Sequence, residues 1–167
     1  MLSRLEQKGV TTGSDNSMAV SDADIVLLAV KPYQVMEILK HIQPSLNESK
    51  ILISLVAGVD LSELTAVTGT AIPIFRAMPN TAIALQESMT LISTNVKDEA
   101  QRKLVVDLFN KMGKTAIIPD ELMAAATVLA ACGIAYALRY IRAAMQGGVE
   151  IGSGAGVPQV ITAQTVM

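Results

Sequence analysis

The 167 residues amount to one domain with little left over. Apolar residues make up 51% and charged residues 17%, below the roughly 25% of an average soluble domain, which excludes a disordered, collagen-like or acidic-tail chain. A net charge of -2 and five aromatics without a tryptophan leave neither a basic footprint for phosphates nor a platform for bases, so no nucleic acid is expected as a partner.

The opening segment MLSRLEQKGV lacks the long apolar stretch of a signal peptide, Glu6 argues against a transit peptide, and residues 1 to 8 read as the tail of a helix. Continuous apolar runs at Ile25 to Val30 and Ile51 to Ala57 have the pattern of strands covered on both faces, as in a parallel sheet. Between them Val35, Ile38, Leu39 and Ile42 recur at three- and four-residue intervals, which predicts a helix over Tyr33 to Ile42. Asp60-Leu-Ser-Glu63 reads as a capping box that opens a short helix through Val67. Ile72 to Met78 is a further apolar run stopped by Pro79, and Met89 to Ser93 reads as a strand. Lys97 to Lys111 predicts an amphipathic helix with Leu104, Val105, Leu108 and Met112 on one side, its Lys97 to Arg102 charges facing solvent, and Thr115 to Ile118 a last strand.

From Pro119 onward the pattern is helical only. Pro119-Asp120-Glu121 places acids in a first helical turn, where the helix dipole favours them, and apolar residues dominate through Met145. Gly147-Gly148 and the stretch from Gly152 to Pro158 are expected to interrupt the helix, and Gln159 to Met167 to begin another. Leu122 to Leu138 holds 17 residues without a charge, alanine-rich and at the lower length limit for a bilayer, so no membrane association is expected. A mean hydropathy of +0.44 points instead to a helix buried on all sides, with another subunit as cover. Alternating β and α units followed by helices alone predict a doubly wound parallel α/β sheet over residues 1–118 and an α-helical region over 119–167.

Ligands of open α/β sheets bind beyond the carboxyl ends of the strands. The residues there are Ala29-Val30-Lys31-Pro32, Val56-Ala57-Gly58 and Met78-Pro79-Asn80-Thr81, each set small, polar or backbone-restricting. They fit the wall of a cofactor pocket, and equally the turn residues that any such sheet requires. Lys31 is the only charge at the first strand end; it either orients an anionic ligand or extends from a turn into water. No strand-G-x-G-x-x-G-helix element is present, and Gly152-Ser-Gly154-Ala-Gly156 reads as a turn between helices. One cysteine and one histidine make neither a disulfide nor a zinc site, so no metal is expected and a reducing, cytoplasmic setting fits. Cys132 reads as a buried inert thiol, and His41 as a charge at a helix C-terminus.

Four segments in this order resemble the pyrroline-5-carboxylate reductase family: Asp15-Asn16, Ala23 to Pro32, Arg76-Ala-Met78-Pro79-Asn80-Thr81, and Asp120-Glu121-Leu122 leading to Gly133-Ile-Ala135-Tyr136-Ala137 and Gly147-Gly148-Val149. The resemblance runs from about Gly9 to Met167. It implies a Rossmann-like domain followed by a helical dimerisation region, and reduction of the C=N bond of 1-pyrroline-5-carboxylate to L-proline by NADP(H) or NAD(H). It implies that Asn16 contacts the adenosine side of the cofactor, that Ala29, Val30, Lys31 and Pro32 with Val56, Ala57 and Gly58 line the nicotinamide, and that Asn80 and Thr81 lie beside the reacting ring. With Lys31, these two are the catalytic candidates. Asp120, Ala131, Cys132 and Gly133 are the implied substrate-binding residues, at a helix break that presents backbone donors.

The chain departs from the family pattern at this break, where Ser-Gly-Ser-Gly-Pro is replaced by Ala130-Ala131-Cys132-Gly133-Ile134, so a straighter backbone is expected. Relative to the family, the glycine-rich loop would precede Met1 and further helices would follow Met167. On this reading the sheet is truncated, residues 1–118 being incomplete at the N-terminus and 119–167 at the C-terminus. A homodimer or higher homo-oligomer through the helical region follows, and no catalysis by these 167 residues alone. A non-catalytic self-associating module derived from such a reductase, and a different Rossmann reductase such as a prephenate or hydroxyacid dehydrogenase, are the alternatives.

Overall fold

A computed structural model describes residues 2–154 and 156–166. Met1, Ala155 within the glycine-dense turn, and Met167 at the end of the predicted last helix lie outside the described residues. Two short helices, α1 (Leu2–Glu6) and α2 (Asn16–Ser21), precede the sheet. The sheet is built from β1 (Ile25–Leu28), β2 (Ile51–Ser54), β3 (Ile74–Met78), β4 (Ser88–Thr94) and β5 (Gly113–Ile117), in that spatial order. Helices α3 (Val35–Ile42), α4 (Leu61–Thr68) and α5 (Glu99–Asn110) connect the strands.

Alternation along β2 sends Leu52 to one face and Ile51 and Ile53 to the other, and each face meets its own helices. Leu52 packs with Val26 and Leu28 of β1, Val35, Leu39 and Ile42 of α3 and Leu64 of α4. Ile51 and Ile53 pack with Phe75, Ala77 and Ile92 and with Val105 and Phe109 of α5. The apolar spacing read from the sequence is therefore the core itself. The capping box at α4 is also as read: the Asp60 carboxylate accepts from the Glu63 N–H at 2.8 Å, and Glu63 accepts from the Asp60 N–H at 2.9 Å.

The sheet is mixed where a parallel one is expected. β1, β2 and β3 are parallel, β4 runs antiparallel to β3, and β5 is again parallel to β4. Connection length explains the reversal. Residues 79–87 between β3 and β4 hold a single 3-10 turn, too little for the crossover of a dozen or more residues that a parallel pair requires. Residues 95–112 carry α5 and return the chain in the same direction.

Beyond β5 a single helical run extends over the 31 residues Asp120–Glu150. It comprises a 3-10 turn at Asp120–Leu122, α6 (Met123–Thr127), a π-helical turn at Val128–Cys132 and α7 (Gly133–Glu150), after which α8 (Gly156–Val166) folds back. Gly147 and Gly148 do not interrupt α7 as expected. A Cβ on Gly148 would meet the Pro158 side chain at 2.7 Å, so the glycine is needed for the close approach of α8 rather than for a break. The backbone at Ala130 to Gly133 is likewise not straighter but bulged, because the π turn inserts an extra residue.

The helical run is not buried on all sides within this chain. By length and composition alone it is long and apolar enough to cross a membrane, and only 6% of its most apolar stretch is buried. Met123 is its one buried residue, packed toward the sheet, whereas Leu129, Tyr136, Leu138 and Tyr140 are exposed. Cys132 is exposed as well, contrary to the buried thiol expected, because only one side of the π turn meets β4 and the turn after β3.

Candidate functional site at the strand ends

The parallel β2 and β3 deliver Val56-Ala57-Gly58 and Met78-Pro79-Asn80 to the same edge of the sheet, where α4 and α6 close a cleft of about 670 Å3. Ala57, Gly58, Met78, Met123, Ala124 and Thr127 supply its apolar and small surface, and Asp60, Glu63, Arg76, Asp120 and Glu121 its charges. Gly58 has φ +76, a left-handed turn that a side-chain-bearing residue enters only with strain. The exposed Ala57 and Gly58 thereby present an almost side-chain-free wall to the cleft.

Arg76 and Asp120 form the cleft's electrostatic floor. Arg76 is 6% exposed in the middle of β3, and its Nη1 donates to Asp120 Oδ1 at 2.5 Å. The same oxygen accepts from the Ser93 hydroxyl at 2.5 Å, and Oδ2 accepts from the Leu61 N–H at 3.0 Å. One carboxylate thus ties together β3, β4, the first residue of α4 and the start of the helical run. Burial raises the Asp120 pKa, but the Leu61 N–H, the Ser93 hydroxyl and Arg76 together outweigh it and hold the carboxyl below its ordinary value. Arg76 Nε is buried without a hydrogen-bond partner. Asp60 is also held low, first by the Ser62 hydroxyl and then by the Glu63 N–H.

Asn80 joins the sheet to the helical run. Its Oδ1 accepts from the Ala82 N–H at 3.1 Å, capping the 3-10 turn Thr81–Leu85, and its Nδ2 donates to the Ala130 carbonyl in the π turn at 3.0 Å. Ala131, Cys132 and Gly133 follow directly, so the two sets of residues implied on the ring side and the substrate side meet at this contact. Thr81 is exposed at the start of the turn.

Other candidates lie apart from the cleft. Val56 is buried and donates its N–H to Ser54 Oγ at 3.3 Å, and Ala29 and Val30 follow β1 beside the end of β2. Lys31 is exposed and Pro32 begins a short 3-10 turn, with the Lys31 N–H donating to Gln34 Oε1 at 3.2 Å. Asn16 opens α2 beneath the Asp15 cap, near the free edge of β1. His41 lies 3.8 Å from Asp15 in the last turn of α3, the helix end at which it is expected. Among the described residues, no group of three or more His, Cys, Asp or Glu side chains could hold a metal ion.

Sequence reasoning gave no role to Arg76, Ser93 or Thr127. The signal for the first was present: an arginine inside the otherwise apolar run Ile72 to Met78 can be buried only with a partner. That partner stands 44 positions away, and no periodicity links them.

A family model described as NADP oxidoreductase coenzyme F420-dependent matches residues 2–58. The chain is 38% identical to pyrroline-5-carboxylate reductase 1 of Dictyostelium discoideum, over 96% of its own length and 31% of that protein. The crystal structure of pyrroline carboxylate reductase from Plasmodium falciparum with NADP bound superposes with a TM-score of 0.85 at 30% identity, over 92% of this chain and 59% of that one. Over nearly all of its own length, this chain is thus similar to pyrroline-5-carboxylate reductases. Pyrroline-5-carboxylate reductase from Coxiella burnetii agrees, with a TM-score of 0.91 at 27% identity over 99% of this chain and 64% of that one. The chain therefore spans between about a third and two thirds of the length of these pyrroline-5-carboxylate reductases.

Proposed function

We propose that the chain supplies the nicotinamide-side and substrate-side walls of an NAD(P)H-dependent reductase that converts 1-pyrroline-5-carboxylate to L-proline, the last step of proline biosynthesis. The observation that carries this reading is the Asn80 contact with Ala130, which joins the strand-end cleft to the π turn ahead of Ala131 to Gly133. In this reading residues 1–118 form the dinucleotide-binding part and 119–167 the helical part. Val56, Ala57 and Gly58 with Ala29 to Pro32 hold the nicotinamide, Asn16 stands on the adenosine side, and Asp120 and Ala131 to Gly133 stand on the substrate side.

A protonated imine is already electrophilic, so the protein's task is to orient the substrate and hold its carboxylate, not to supply an acid of unusual strength. The cofactor, when bound, supplies the hydride. The bulged backbone at 130–133 offers N–H groups to the carboxylate, and the apolar Met78 and Met123 exclude water from the ring side. The 167 residues contain no G-x-G-x-x-G cradle for the pyrophosphate, so alone they hold the dinucleotide weakly and do not turn over.

The exposed apolar side chains of α7 and α8 support association with a second copy through the helical region, in the cytoplasm rather than in a bilayer. They equally fit a self-associating module without catalysis, and one experiment separates the two. The protein purified from its own gene is mixed with pyrroline carboxylate and either NADPH or NADH deuterated at the nicotinamide C4. Proline heavier by one mass unit, labelled at the former imine carbon, supports the reductase. Folded protein that yields no proline from either cofactor overturns it in favour of the module.

A further inference from the structure

We infer that Asn80 is a positioning residue whose amide holds the π turn at Val128–Cys132 in the shape that aims the following backbone at the substrate. This rests on the proposed function for what the turn is aimed at, but not for the contact itself. A π turn interrupts the regular helical hydrogen-bond ladder and leaves backbone groups in need of partners. The Ala130 carbonyl, in the middle of this turn, accepts from Asn80 Nδ2 at 3.0 Å across 50 residues of sequence. None of the helical run's other hydrogen bonds reaches the Pro79–Gln86 turn: the Thr127 hydroxyl returns to Met123 within the helix itself.

Asn80 is itself fixed. Its Oδ1 is engaged by the Ala82 N–H, its own N–H donates to Ser88 Oγ at 3.2 Å, and its carbonyl accepts from Ile83 N–H at 3.1 Å. With Oδ1 committed to the cap, the orientation of the amide leaves Nδ2 facing the π turn. The side chain is an uncharged amide, with no proton to give to or take from a reacting ring near neutral pH. Its role is to set the register between the turn after β3, on the cofactor side, and the break in the helix, on the substrate side.

Two variants separate this role from the cap. Asn80→Asp and Asn80→Ser both retain an oxygen for the Ala82 N–H, both residues being good caps, and neither can donate an amide proton to Ala130. In the purified chain, amide hydrogen exchange is followed by NMR. The expected result is exchange at Ala131 to Tyr136 faster by about tenfold in both variants, the loss of one hydrogen bond, with β2, β3 and α4 unchanged. Exchange at the wild-type rate in either variant would overturn the inference, whatever the activity.

In the protein purified from its own gene, both variants should raise KM for pyrroline carboxylate about tenfold and leave KM for the nicotinamide cofactor within twofold. A merely structural lesion would lower the amount of folded enzyme and leave both constants alone, and that result with unchanged exchange would also refute the role. If exchange quickens as expected but the unmodified protein has no reductase activity, the contact stands and the proposed function falls.

Discussion

Replacing Asp120 by alanine tests whether the Arg76 cluster holds the sheet to the helical run. The Arg76 side chain is 7% exposed and that of Asp120 is 21% exposed, so the substitution leaves a largely buried guanidinium without its partner at the floor of the cleft. Removing one partner of a buried pair costs about 3–5 kcal/mol, and partial access of water places this case near 3 kcal/mol. The Ser93 hydroxyl and the Leu61 N–H lose their acceptor in the same step, which adds about 1 kcal/mol. At roughly 2–4 °C per kcal/mol for a chain of this size, the melting temperature should fall by about 10 °C. The assay is thermal unfolding followed by far-UV circular dichroism at neutral pH. The double variant Arg76→Met with Asp120→Leu removes both charges and should recover at least half of the loss, because no unpaired charge remains. A single variant melting within about 2 °C of the parent would refute the reasoning, as would a double variant no better than the single one.

Asp120 also sets an acid limit. Its folded pKa lies below the ordinary 3.8, so its contribution is fully present above that value and disappears as pH falls through the lower, folded pKa. Urea unfolding from pH 5 down to 2 should show stability declining with acid, and Asp120→Asn should flatten that decline; an unchanged slope would contradict it. Gly148→Ala places a Cβ 2.7 Å from the Pro158 side chain and should weaken the docking of α8 on α7 by about 1–3 kcal/mol, read as faster amide exchange confined to α8 and the facing turns of α7. Exchange at the parental rate there would show that the helices do not meet as described. Leu129→Lys combined with Tyr136→Lys, on the exposed face of the helical run, should lower the sedimentation mass toward that of the single chain. A mass unaffected by both charges would show that this face does not hold two copies together.

The sheet and its helices were legible because burial on two faces leaves apolar runs such as Ile51 to Ile53, and because α3 repeats its apolar side chains with helical spacing. The direction of β4 is not encoded in periodicity. It is encoded in the nine residues 79–87, and counting them would have foretold the antiparallel pair. The glycine pair at 147–148 misleads because glycine marks both a break and a close approach, and only the position of Pro158 decides between them. Within the site, the strand-end residues were readable from the general rule that ligands gather there. The Arg76–Asp120 floor and the Asn80–Ala130 contact were not, since each joins residues 44 and 50 positions apart, respectively, through a tertiary hydrogen bond that leaves no local pattern.

The most direct test of the central claim, that the strand-end cleft and the π turn form one reductase site, is a two-ligand NMR titration of the 15N-labelled chain. Millimolar NADPH should shift the amides of Val56, Ala57 and Gly58, and L-proline added next should shift those of Ala131, Cys132 and Gly133. Shifts confined to other surfaces, or none at these residues while the chain remains folded, would contradict the account.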